Sequence, residues 1–468
     1  MRFKWLFLLA FMLTAGLLSA QTKKTTPTKK ATPKAKTEAP AEKKPEQNTS
    51  KIEFTEYELD NGLDVILHQD KSTPIVAVTV MYHVGSKNER PDRTGFAHFF
   101  EHLLFEGSEN IGRGEFDKYI QNAGGTLNAN TTQDRTFYYE ILPSNQLELG
   151  LWLESERMLH AKVEKEGIET QREVVKEEKR QRYDNQPYGS LLKEVLARSF
   201  KKHPYRWDPI GSMEHLDAAT EEDYKNFYKE FYVPNNAILS IAGDIDIEQA
   251  KKWIQQYFGS IPKGKKEIYR PNIVEPPLGG EVRDTVRDNV QLPAVVQAYR
   301  IPGQGTEDYY AVDMVSKLLS QGESSRLYKA LVDDQKKALF VGSIPLPNED
   351  PSISLAFGIT NVGVDPKDLE AALDAEIAKV QNELISEQEF QKLRNQIEND
   401  FVTANSSVAG IAESLANYKM YYGDANLINT EIERYMKVTR EDIQKAAKKY
   451  FSKDNRVALY YLPKSPQP

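Results

Sequence analysis

The 468-residue chain contains no cysteine, which excludes a disulfide framework, a thiol nucleophile and a lipid-anchored start. Its opening apolar run, Trp5 to Leu18, is shorter than the ~20 apolar residues a spanning helix needs. That run follows Met1-Arg2-Phe3-Lys4 and closes on Leu18-Ser19-Ala20, the layout of a secretory signal over residues 1–20. Residues 21–50 hold neither an aromatic nor a β-branched aliphatic side chain, so they cannot bury enough surface to offset the entropy of ordering and read as a linker. This linker has eight Lys against three Glu, so the remainder is more acidic than the overall net charge of −8 indicates. An acidic body argues against nucleic acid or anionic lipid as its main partner.

What is present from about residue 51 alternates strand and helix signals. Leu63, Val65 and Leu67 follow the turn Asn61-Gly62, Val76, Val78 and Val80 alternate, and helical patterns begin near Thr94. The class is α+β or mixed α/β. Thr220-Glu-Glu-Asp223, Phe231-Tyr232, Asn236 and the apolar run from Ile238 recur 219 residues later as Thr439-Arg-Glu-Asp442, Tyr450-Phe451, Asn455 and the run from Val457. Leu103-Leu104 to Gly107 recurs as Leu318-Leu319 to Gly322. These matches predict a duplication, with the Pro- and Gly-containing stretch 271–280 as linker and domains over 51–270 and 271–468.

Histidine is scarce, and only two of the seven stand four apart: His98-Phe-Phe-Glu101-His102. On a helix, capped by Thr94 and ended at Gly107, both imidazoles would share one face with Glu101 beside them, while Phe96, Phe99, Phe100, Leu103 and Leu104 bury the rest. Two such imidazoles supply two of the three protein ligands of a catalytic zinc, and a nearby carboxylate can take a proton from water. The bland alternative is a pair of core histidines beside a chance glutamate. A third ligand is expected from the helical segment Glu169 to Arg180, where Gln171, Val174, Val175 and Glu178 share an inward face and Glu173 and Glu177 lie off it. An inward Glu178 needs a cation, so it is preferred over Glu177, although charged helices are commonly solvated faces.

His98-Phe-Phe-Glu101-His102 is an inverted zinc motif, followed by Arg172-Glu-Val-Val-Lys-Glu-Glu178. Together with Gly124-Gly125-Thr-Leu-Asn128-Ala129, Thr136, Tyr138, Arg182 to Gly189 and Pro234 to Gly243, it resembles the pitrilysin/insulinase family of zinc metallopeptidases, over roughly residues 52 to 464. The resemblance implies two homologous α/β-sandwich domains that form one half of a clamshell enclosing unfolded peptides. It implies zinc on His98, His102 and Glu178, Glu101 as general base, and Asn128 and Ala129 on an edge strand that pairs with the substrate main chain.

Two departures from the family pattern stand out. Gln171 stands where an outer-sphere glutamate is common, seven residues before the third ligand. Val332 and Leu339 stand where the half of the clamshell without zinc carries an arginine and a tyrosine, and Asp313, Ser316 and Lys317 replace the His98, Glu101 and His102 set in the second copy. The resemblance therefore implies a zinc-bearing subunit that takes its arginine and tyrosine from a related chain, or a homodimer that works without them. A non-catalytic peptide-binding subunit and a hydrolase of non-peptide amides remain the rivals. The expected location is the periplasm, or outside the cell in a source without an outer membrane.

Overall fold

A computed structural model describes residues 51–265 and 267–464. The expected signal and linker lie outside the described residues. Among the described residues the strands run β1 (Thr55–Glu58), β2 (Asp64–Gln69), β3 (Ile75–Tyr82), β4 (Thr126–Thr131), β5 (Thr136–Pro143), β6 (Ala237–Gly243), β7 (Val282–Asp288), β8 (Ala294–Ile301), β9 (Ala338–Pro345), β10 (Ser352–Thr360) and β11 (Arg456–Pro463). The helices are α1 (Phe96–Leu103), α2 (Glu115–Asn122), α3 (Leu147–Leu159), α4 (Lys165–Lys179), α5 (Leu191–Ser199), α6 (Met213–Ala218), α7 (Glu221–Phe231), α8 (Ile247–Phe258), α9 (Glu307–Ser320), α10 (Pro366–Asn382), α11 (Glu387–Ala404), α12 (Val408–Tyr422), α13 (Leu427–Lys437) and α14 (Arg440–Tyr450). The fold is mixed α and β in two sheets.

The first sheet has the order β1-β2-β6-β3-β5-β4 and the second β7-β11-β8-β10-β9. In each, one parallel pair (β2 with β6, β7 with β11) opens onto an antiparallel run. Apart from β1, the second sheet repeats the first strand for strand. The sequence repeat marks the same place in each: Thr220 and Thr439 both close capping boxes with Asp223 and Asp442 at the starts of α7 and α14, and β6 and β11 follow. Such reciprocal caps satisfy helix N–H groups that have no partner within the helix.

Alternation in β3 suggests a strand with one buried face, but both faces are buried. Val76, Val78, Val80 and Tyr82 join the first core, and Ala77, Thr79 and Met81 are fully buried as well. The second cover comes from α12, late in the chain, which packs on β2, β3 and β6; in return α5 packs on β8 and β11 of the second sheet. Each half therefore has a sheet face that an element of the other half covers.

A buried ion cluster fastens this exchange. Lys87 Nζ lies 3.1 Å from Asp134 Oδ1, 2.5 Å from Glu349 Oε2 and 3.1 Å from Asp350 Oδ2, and its side chain is only 4% exposed. The Glu349 amide donates to Asp134 Oδ2 (2.9 Å), and Tyr205 donates to Asp134 Oδ1 (2.5 Å). Burial opposes ionisation of Glu349, but His83 and Lys87 outweigh it and hold the carboxyl at about 2.

Removing the cation leaves the buried Asp134 and the partly exposed Glu349 and Asp350 without the charge they share. Lys87→Ala is expected to lower the unfolding free energy by about 3–5 kcal/mol at neutral pH in urea denaturation. Glu349 has a depressed folded-state pKa, so its contribution is complete above the unfolded value of ~4.3 and is lost as pH falls through the folded value. The difference between wild type and variant should therefore close between about pH 4 and pH 2; a pH-independent difference would assign the loss to packing instead.

Candidate metal centre

Helix α1 carries His98, Glu101 and His102, and its aromatic flanks do bury it: Phe96, Phe99, Phe100, Leu103 and Leu104 are all at most 2% exposed. Its start differs from the expectation. Gly95, not Thr94, is the N-cap, at φ 95°, because Glu89 takes over the capping: its Oε2 and Oε1 accept from the amides of Gly95 (2.9 Å) and Ala97 (2.8 Å). Thr94 instead pairs its hydroxyl with His215 Nδ1 and accepts from the Ser212 amide. Gly95 is required for space as well, since a Cβ there would meet the Ile210 carbonyl oxygen at 2.8 Å. The helix ends at Leu103 with Leu104 as C-cap, so Gly107 lies beyond it and does not end it.

The facing helix is α4, which presents Ile168, Gln171, Val175 and Glu178 inward at the i, i+3, i+4 spacing. Glu173 and Glu177 are exposed, as expected, but so is Val174 (43%). The inward stripe is one residue wide at that turn, and Val175 takes it.

Three donor atoms from the two helices converge. His98 Nε2 stands 3.5 Å and His102 Nε2 3.0 Å from Glu178 Oε2, and one donor atom from each residue falls within 4.8 Å of the others. Among the described residues no other such group of His, Cys, Asp and Glu occurs. Two tetrahedral ligands each ~2.05 Å from a zinc ion stand ~3.3 Å apart, which matches these separations. Glu178 Oε2 and His98 Nδ1 are buried without a hydrogen-bond partner, a costly state for a carboxylate unless a cation takes its lone pair.

The electrostatics suit that chemistry. Burial lowers the His98 pKa, against Glu101 and Glu178, favouring the neutral imidazole that can ligate a metal. Burial opposes ionisation of Glu178, yet His102, His98 and Arg182 hold it ionised, at about 2. Arg182 Nη1 bonds Glu178 Oε1 at 2.5 Å, leaving Oε2 for the shared focus. Glu101 lies beside the donors and accepts from Thr131 Oγ1 at 2.7 Å.

Gln171 turns to Glu106. Its amide nitrogen donates to Glu106 Oε1, and among the described residues it bonds none of the three donors. Glu106 is buried (8% exposed) and needs donors, which Gln171 and Arg113 provide. Arg113 also reaches Glu166 and Thr170, so the carboxylate clamps the end of α1 to α4. Asn128 and Ala129 lie on β4, the edge strand of the first sheet.

The second half has the same frame with other contents. On α9, Asp313 accepts from Tyr435 (2.8 Å), Ser316 meets Ser354 (3.0 Å) and Lys317 pairs with Asp400 (2.7 Å). Val332 is partly buried against the second core, and Leu339 is 53% exposed on the edge strand β9. Sequence reasoning did not single out Glu89, Thr131, Glu106 or Arg182 for a role at the centre. Arg182, four residues after Glu178, had a signal in helical spacing; the others act through space.

A half-clamshell of two repeated α/β units, with a two-histidine, one-glutamate cluster in the first, defines a class of metallopeptidase-like folds. The comparisons place the chain within it. Residues 64–208 match the family described as Insulinase (Peptidase family M16), and residues 218–397 match Peptidase M16 inactive domain. The zinc protease PqqE of Helicobacter pylori is 31% identical over 86% of this chain and 92% of its own length. A solved protease from Helicobacter pylori superposes with a TM-score of 0.84 at 30% identity, over 88% of this chain and 100% of that one. The periplasmic protease PqqL of Escherichia coli shares the fold (TM-score 0.72, 18% identity), with 88% of this chain covering 49% of that one. The chain belongs to the M16 peptidase family.

Glu89→Ala removes the cap of α1 and two hydrogen bonds to a carboxylate. It is expected to lower the unfolding free energy by about 1–3 kcal/mol in urea denaturation, whereas a loss below ~0.5 kcal/mol would show that water caps the helix equally well.

Proposed function

We propose that the chain is a zinc endopeptidase acting on unfolded peptides, with His98, His102 and Glu178 as metal ligands and Glu101 as general base. The observation that carries this reading is the convergence of His98 Nε2, His102 Nε2 and Glu178 Oε2 from α1 and α4 around one point. The zinc-protease names of its relatives support the choice of metal. Zinc bound there would supply a Lewis acid that acidifies water and polarises a peptide carbonyl. Glu101, fixed by Thr131, takes the proton from the attacking water and returns it to the leaving amine. Arg182 keeps Glu178 turned so that only Oε2 faces the centre.

The substrate lies along β4, the edge strand that carries Asn128 and Ala129, and adds a strand to it. Main-chain recognition makes side-chain specificity loose. The duplication is read as two domains, 51–270 and 271–468. Val332 and Leu339 offer no cation or hydroxyl to a developing oxyanion, so a related chain bringing an arginine and a tyrosine completes the site as the other half of a heterodimer. The length relation to PqqL, half of that chain, suits such a pairing. The signal-like residues 1–20 and the periplasmic description of PqqL support a location in the cell envelope. No helix among the described residues is long and apolar enough to cross a membrane.

The test compares zinc content and cleavage of long unstructured peptides for the chain from about Gln21, alone and with such a partner. Glu101→Gln is expected to retain about one zinc per chain and lose at least about a hundredfold in kcat. Glu178→Gln and His102→Ala should lose the metal. A wild-type chain that binds no zinc in either state would instead be a non-catalytic peptide-binding subunit.

A further inference from the structure

Among the described residues strand β4 pairs with β5 alone, so its other edge carries no described strand. Its register fixes which main-chain groups face that side. The Thr132 amide donates to the Arg135 carbonyl at 2.8 Å, which makes Thr132 and Arg135 a hydrogen-bonded pair at the hairpin. Antiparallel pairs alternate between bonded and non-bonded, so Thr131 opposite Thr136 and Ala129 opposite Tyr138 turn their N–H and C=O outward. The Ala129 amide agrees with this: it bonds Asn128 Oδ1 at 2.8 Å rather than a group of β5. Leu127, Ala129 and Thr131 also share one side-chain face, and Leu127 and Ala129 pack against the first core.

Thr131, the last residue of β4, thus has its main chain aimed at the open edge while its side chain reaches the centre. Its hydroxyl donates to Glu101 Oε2 at 2.7 Å, the length of a charge-assisted bond. No other side-chain hydrogen bond to the Glu101 carboxylate occurs among the described residues, so this contact fixes the carboxylate from outside α1.

We propose that Thr131 is a positioning residue that couples the edge strand to the general base: its hydroxyl aims the Glu101 carboxylate, and a peptide strand added to β4 holds the same residue by its main chain. The inference rests on the peptidase reading for its kinetic consequence, but not for its geometry. An added strand reduces the freedom of Thr131 and with it the freedom of Glu101, so the base is held best when substrate is in place. A misplacement of about 1 Å at a reacting group costs on the order of a hundredfold in rate.

The test uses Thr131→Val, which keeps shape without the hydroxyl, and Thr131→Ser, which keeps the hydroxyl. In the zinc-loaded protein with its partner and a long unstructured peptide, Thr131→Val should lower kcat by about tenfold to a hundredfold with KM and zinc content unchanged. Thr131→Ser should stay within about threefold of wild type, the range of a small misalignment. A crystal structure of Thr131→Val should show the Glu101 carboxylate displaced. An undisplaced Glu101, or a Thr131→Ser variant as slow as Thr131→Val, would overturn the proposal. If zinc-loaded wild type cleaves no peptide, the peptidase reading fails, and the position of Glu101 in Thr131→Val still decides the role of Thr131.

Discussion

A carboxylate withdrawn from bulk water and aimed at two imidazoles is the constraint on which the first half depends. Glu178 Oε2 meets the two imidazoles without a well-formed hydrogen bond, and burying a carboxylate uncompensated would cost several kcal/mol. Its position holds only if α1 and α4 are fixed against each other. Glu89 caps α1, Glu106 ties the end of α1 to α4 through Gln171 and Arg113, and Arg182 takes the other oxygen of Glu178. The Glu106–Arg113 and Glu178–Arg182 contacts pair opposite charges, so the framework is electrostatic as well as apolar; burial raises the Glu89 pKa, and its carboxyl group acts there as a hydrogen-bonding cap. Such a framework suits metal coordination, which needs its donors held in place in advance.

The part of this arrangement that follows helical periodicity could be read from the sequence. His98, Glu101 and His102 share a face because of their spacing, and Glu178 was separated from Glu177 by the same reasoning. The limits of that reasoning appear at Val174, which a broad apolar stripe would bury and a narrow one leaves out. They appear again at Thr94, a good capping residue locally, whose hydroxyl is taken by His215 and Ser212 far along the chain. Thr131 and Glu106 reach their partners across 30 and 65 residues, and no local pattern records such contacts. Gln171 was noticed for what it lacks, yet its role is set by Glu106, a neighbour that spacing alone does not reveal.

The duplication was legible through its capping boxes because Thr220 with Asp223 and Thr439 with Asp442 are local devices. Its consequence was not. The apolar faces of α5 and α12 predict burial but do not say against which sheet, and each proves to cover the sheet of the other repeat. This exchange makes both faces of β3 apolar in environment despite its alternation. It also explains why charge is buried between the repeats: Lys87 with Asp134, Glu349 and Asp350 fixes a relation that non-directional apolar contact would leave less defined.

Two copies of one topology thus carry different polar interiors. In the first, α1 directs imidazoles and a carboxylate at a shared point; in the second, the equivalent α9 spends Asp313, Ser316 and Lys317 on bonds to Tyr435, Ser354 and Asp400. Those bonds satisfy the buried groups within the protein, so nothing there calls for an ion. The same frame that exposes β4 beside Glu101 exposes β9 in the second copy, with the apolar Leu339 and Phe340 on it. Since the topology is common to both, the difference in chemistry must lie in a handful of side chains, and the fold's contribution is to bring an open strand edge and a helix together at one place.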